Sequence, residues 1–111
     1  MTALSTWTPV CAVADLVPGR GVAALLPSGE QVAVFAVAGA VHAVSNVDPF
    51  TGAAVLSRGI VGDLGGVAVV ASPMHKQHFD LRTGACVEDP ATSVRVYPVR
   101  VADGVLAVGS P

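Results

Sequence analysis

The chain has 111 residues, the size of one ordinary domain and too short for two cores of normal size. Hydrophobic residues make up 52% and charged residues 13%, half the usual share of about 25%, which excludes intrinsic disorder. The formal net charge is −2 and Lys76 is the only lysine, so a basic face extensive enough to neutralise nucleic-acid phosphates is not expected.

The predicted elements are short strands divided by turns. Val10–Val13 is a first apolar segment, and Asp15-Leu-Val-Pro-Gly19 reads as a loop with room for one helical turn. Gly21–Leu26 and Gln31–Ala38 flank Pro27-Ser-Gly-Glu30, a hairpin pattern. Ala40–Ser45 follows across Gly39 and extends this to a three-stranded meander. The stretch from Asn46 to Asp63 is less regular, with loop signals at Asp48-Pro49 and Thr51-Gly52. Gly62-Asp-Leu-Gly-Gly66 reads as a turn, because no Gly-Lys-Ser/Thr phosphate-loop ending follows. Val67–Ala71 is a strand, Ser72-Pro73 ends it, and His78–Leu81 resumes before the Arg82-Thr-Gly84 turn. Val94–Val101 and Val105–Val108 are joined by Ala102-Asp-Gly104, a strong hairpin signal. Within Val94–Val101, Val94 and Val96 share one face opposite Arg95 and Tyr97, and the apolar set then changes phase at Pro98. A bulge or break is expected at Tyr97-Pro98, since proline donates no ladder hydrogen bond. Strands of this length and spacing predict an all-β fold, a small antiparallel sandwich or barrel, as one domain over residues 1–111 with an ordered core at about 7–109.

The longest uncharged stretch, Gln31–Val47, is interrupted by Gly39, His42, Ser45 and Asn46 and falls short of the roughly 20 apolar residues of a membrane span. Met1–Trp7 carries no basic region followed by a long apolar run, so no signal peptide is expected. The expectation is a cytoplasmic protein with no membrane or nucleic-acid partner and with Cys11 and Cys86 as reduced, structural thiols. His42 reads as a half-buried strand histidine. His75 and His78 lie close to Asp80, but in an extended segment the two histidines point to opposite faces. A zinc site made from these three groups, as in a small metallohydrolase, is a poor fit to the usual ligand spacings.

The segment Ser72-Pro-Met-His-Lys-Gln-His-Phe-Asp-Leu-Arg-Thr-Gly84 resembles the second cluster-binding loop of Rieske proteins, and Asn46-Val-Asp-Pro-Phe-Thr-Gly52 aligns with the first. In that family two cysteines and two histidines hold a [2Fe–2S] cluster. Here Asn46 and Asp48 stand at the first Cys and His, Ser72 stands at the second Cys, and only His75 matches a ligand type. Trp7, Val10-Cys11, Gln31–Phe35, Asn46-x-Asp48-Pro-Phe50, Ser57-Arg-Gly-Ile-Val-Gly62, Lys76-Gln77 and Phe79–Gly84 occur in an order similar to that of the small subunits of assimilatory NAD(P)H nitrite reductases, Rieske-like domains without a cluster. The resemblance implies a Rieske-like fold with two loops at the former cluster tip and no metal or cofactor on this chain. It also implies a catalytic large subunit as partner, carrying FAD, an iron–sulfur cluster and sirohaem for the reduction of nitrite to ammonium. Asp48, Pro49, Phe50, Met74, His75, Lys76 and Gln77 are the expected docking residues, with Phe50 and Met74 either at the interface or filling the volume of the lost cluster. An ion pair between Asp48 and Lys76 is a further expectation. A ferredoxin with an atypical cluster and a stand-alone Rieske-like module are the alternative readings.

Overall fold

A computed structural model describes residues 6–74 and 76–110. It contains ten strands and two single 3₁₀ turns: β1 (Thr6–Ala12), β2 (Val22–Leu25), β3 (Gln31–Val37), β4 (Ala40–Ser45), β5 (Ile60–Leu64), β6 (Val67–Ala71), β7 (His78–Asp80), β8 (Val96–Tyr97), β9 (Val99–Ala102) and β10 (Val105–Ser110). The 3₁₀ turns are Val13–Asp15 and Leu56–Arg58. No helix among the described residues is long and apolar enough to cross a membrane.

Three hairpins turn on two-residue loops with positive φ at both positions. These are Ala38-Gly39 (φ 51° and 80°), Gly65-Gly66 (62° and 88°) and Asp103-Gly104 (53° and 75°). That backbone matches the right-handed twist of the flanking strands, which is why such loops favour glycine. The meander and the Asp103-Gly104 hairpin agree with the sequence expectation. The Gly62–Gly66 turn does not: β5 runs on to Leu64 and only Gly65-Gly66 turns. Gly62 and Asp63 hid this strand, because neither residue type signals extended structure.

The strands form three sheets, ordered β1-β10-β9, β2-β3-β4-β8 and β5-β6-β7. The meander sheet lies in the middle and is covered on both faces. Ala33, Phe35 and Val44 point into a core with Leu56, Val70, Phe79, Leu81 and Cys86. Val32, Val34 and Ala43 point into a second core with Leu26, Tyr97, Leu106 and Val108. Successive side chains alternate faces, so a strand buried on both sides reads as the unbroken run Val32-Ala-Val-Phe35.

The break at Pro98 is a change of sheet. β8 pairs with β4, whereas β9 pairs with β10. The expected facing is corrected here: Val96 is exposed, and Tyr97 is the buried residue. Pairing of Tyr97 with Ala43 on β4 sends the ring into the second core. The Tyr97 hydroxyl donates to Glu30 Oε1 at 2.6 Å, and Arg95 Nη1 donates to the same oxygen at 2.9 Å. Burial and the Glu30 carboxylate push the phenol up to about 12 from the ordinary 10. Its folded pKa is raised, so this contribution to stability is complete below about pH 10 and is lost as pH rises through about 12. Tyr97 is the only tyrosine, so phenolate absorbance reads it directly. The expected midpoint is about 12 in the wild type, and Glu30→Gln should lower it. A wild-type midpoint at the ordinary value of about 10 would contradict the contact.

Candidate functional site: the two-loop tip

β4 delivers the chain into the first loop at Asn46. The Asn46 N–H donates to Gln31 O at 2.9 Å, and its carbonyl accepts from Leu56 N at 3.0 Å. Its side-chain Oδ1 accepts from Ser57 N at 2.7 Å, so this amide ties the loop entrance to the 3₁₀ turn eleven residues on. Asp48 then closes the loop. Its N–H donates to Ala53 O at 2.8 Å, its carbonyl accepts from Gly52 N at 2.8 Å, and its Oδ1 accepts from Phe50 N at 2.8 Å. The last contact is the local side-chain turn that aspartate favours.

β6 delivers the second loop at Ser72. The Ser72 N–H donates to Gln77 O and its carbonyl accepts from Lys76 N, both at 2.9 Å, which folds residues 72–77 back on themselves. Lys76 takes a left-handed backbone, φ 61°, to complete this turn. The Ser72 hydroxyl donates to Asp48 Oδ2 at 2.5 Å and accepts weakly from Met74 N at 3.3 Å. That hydroxyl–carboxyl contact spans 24 residues and joins the loops. Asn46, Asp48 and Ser72 are 2%, 0% and 1% exposed, respectively. All three form a buried frame under the tip.

Two expectations are thereby corrected. Asp48 makes no ion pair with Lys76; its carboxyl is sealed inside and satisfied by Ser72 and Phe50, while Lys76 is exposed. For the same reason Asp48 cannot touch a partner and instead shapes the surface above it. Pro49, Phe50, Met74 and Lys76 do face outward, and Gln77 is half-buried. His75 lies outside the described residues. The Phe50 ring tilts against Phe79 at 6.2 Å, yet it stays 39% exposed. Met74 is 46% exposed.

The remaining candidates have ordinary partners. His78 Nδ1 lies 2.6 Å from Glu88 Oε2, and the His78 N–H donates to Glu88 Oε1 at 2.8 Å. These two contacts hold the Glu88 carboxyl below its usual range. Asp80 Oδ1 accepts from Arg82 N at 2.8 Å and serves the following turn. No group of three or more His, Cys, Asp or Glu could hold a metal among the described residues. His42 is half-buried in β4 as expected, and burial lowers its pKa against the opposing pull of Asp80. Cys11 and Cys86 are free, and burial pushes both thiols up, which suits inert structural cysteines. The Cys86 Sγ lies 3.7 Å from Glu88 Oε1, a carboxylate that cannot activate a thiol as an imidazole would.

Three strand layers carrying two hydrogen-bonded loops at one end define a Rieske-type domain, and the family model of the Rieske-like [2Fe-2S] domain matches residues 6–109. The chain is 48% identical over 105 residues to the nitrite reductase (NADH) small subunit of Salmonella typhimurium, covering 93% of this chain and 96% of that one. It belongs to the family of nitrite reductase (NADH) small subunits. A Mycobacterium tuberculosis crystal structure, assigned as an NADH-dependent nitrite reductase small subunit, matches with TM-score 0.93 at 56% identity over 96% of each chain. The nitrite reductase [NAD(P)H] large subunit of Klebsiella oxytoca is 38% identical over 105 residues, 94% of this chain but 11% of that one.

The residues present do not fit the cluster of the wider family. Such a cluster is held by thiolates and imidazoles. The three described ligand positions supply an amide, a carboxyl and a hydroxyl, all committed to internal hydrogen bonds. Neither cysteine is on a loop of the tip: Cys11 is in β1, and Cys86 is in the core beside Phe79.

Proposed function

We propose that this chain is a non-catalytic small subunit of a cytoplasmic NAD(P)H nitrite reductase. It docks on a catalytic large subunit that carries FAD, an iron–sulfur cluster and sirohaem, and it binds none of these itself. The observation carrying this reading is the Asn46–Asp48–Ser72 frame, which replaces a cluster's crosslink between two loops by hydrogen bonds. A Rieske scaffold kept rigid without its metal has an intact tip but no redox centre, which suits recognition better than electron transfer. The matching stretch inside a large subunit supports the same assignment, since a domain carried on one polypeptide in one species fits a docked subunit in another. Pro49, Phe50, Met74, His75, Lys76 and Gln77 form the docking tip in this reading, with Phe50 and Met74 as apolar anchors.

The test is co-purification with the large subunit, followed by metal analysis of the separated chain. A stable complex is expected, together with a colourless small subunit lacking iron and acid-labile sulfide. Stoichiometric iron with visible absorbance after anaerobic purification would establish the ferredoxin alternative instead.

A further inference from the structure

The chain has six Lys and Arg residues. Three of them are engaged: Arg82 pairs with Asp80 at 3.4 Å, Arg95 pairs with Glu30 at 2.9 Å, and Arg100 lies over the Trp7 ring at 4.5 Å. The other three, Arg20, Arg58 and Lys76, form no ion pair among the described residues. They come from three separate segments, yet they line two adjoining hollows of about 350 and 520 Å³ that share Arg58 and Ile60. No Asp or Glu lines either hollow among the described residues, although acids outnumber bases by eight to six in the whole chain. Glu88, which touches His78 of the larger hollow, is taken up by the His78 ring and backbone.

The larger hollow, between Arg58 and Lys76, is mostly apolar, whereas the smaller one, beside Arg20, is mostly polar. Ile60 is 77% exposed at the start of β5, an edge strand, and exposed Pro73 lies across the larger hollow. A large aliphatic side chain in water, ringed by unpaired cations, has the anatomy of an interface anchor with a charged rim. An inorganic anion could answer the charges but would leave Ile60 uncovered.

We propose that this cationic face receives an acidic segment of the large subunit, with an apolar side chain of that segment covering Ile60. The inference rests on the docking reading above and extends it from the tip, through Lys76, to Arg58 and Arg20. Exposed charges at a rim act mainly by steering association, and salt screens them.

The experiment measures binding kinetics of the full chain to the full-length large subunit at low and high salt. Arg58→Gln with Lys76→Gln should weaken binding at least about tenfold at low salt, mostly in the association rate, with the gap shrinking as salt is added. Ala91→Glu with Ala102→Glu, two exposed sites away from the hollows, gives the same net charge and should bind within about twofold of wild type. Ile60→Ser should speed dissociation. All these positions are exposed, so melting temperatures are expected to stay near that of the wild type. If the double glutamine variant binds no more weakly than the glutamate control, the cationic face is not the contact. If the wild type itself fails to bind, the subunit reading falls, and this inference with it.

Discussion

Asp48→Ala should destabilise the isolated chain by about 3 kcal/mol, read as a shift in the urea midpoint at constant m. The substitution leaves the buried Ser72 hydroxyl without its acceptor and the Phe50 N–H without its own. Each stranded donor costs about 1–3 kcal/mol, and a domain of this size shifts its melting temperature by roughly 4–8 °C per kcal/mol. Ser72→Ala removes the link to Asp48 Oδ2 and the weak acceptor of Met74 N, leaves the buried Asp48 carboxyl short of a donor, and should cost a similar amount. The double variant should then lose less than the sum of the singles, because the two residues share a hydrogen bond. Additive losses would mean that Asp48 and Ser72 act independently and that the loops are not joined through them. The functional readout follows from the geometry. Pro49 and Phe50 sit on the first loop and Met74 and Lys76 on the second, so an unlinked tip should also bind the large subunit more weakly.

Much of the fold could be read directly because it is local. The Ala38-Gly39 and Asp103-Gly104 turns each announce a hairpin within a few residues, and Pro98 announces a break. What could not be read depends on pairings between distant residues. The face exposed by Val96 and buried by Tyr97 is set by β4, more than fifty residues earlier, and by Glu30 beyond it. Strand β1 begins at Thr6 because β10 is there to pair with it, and its register shifts between Pro9 and Cys11. The tip shows the same division. Its residues were identifiable by resemblance, position by position. Their chemistry is not legible from charge, which pairs Asp48 with Lys76, whereas burial selects Asp48 with Ser72. A hydroxyl can reach a sealed carboxyl without carrying a charge of its own into the interior, and an ammonium cannot.

Gly84→Ala should cost about 3 kcal/mol, and Gly104→Ala, its control, about 1 kcal/mol. Both glycines have left-handed backbones, φ 81° and 75°, so both variants carry the same conformational penalty. They differ in what an added methyl meets. At Gly104 the space is open; at Gly84 a Cβ would land on the Val94 carbonyl oxygen. That oxygen cannot retreat easily. Val94 is buried in the core that holds Phe35 and Phe79, and its N–H donates to Gly84 O at 2.8 Å. Gly84 N in turn donates to Asp80 O at 2.7 Å, at the end of β7. Pushing these segments apart therefore strains the strand that follows the second loop, and Phe79 within it supports the Phe50 ring. Gly84→Ala should weaken docking as well as stability, whereas Gly104→Ala, on the far hairpin, should leave docking unchanged. Equal losses of stability in the two variants would show that backbone conformation alone is at stake and that the contact with Val94 adds nothing.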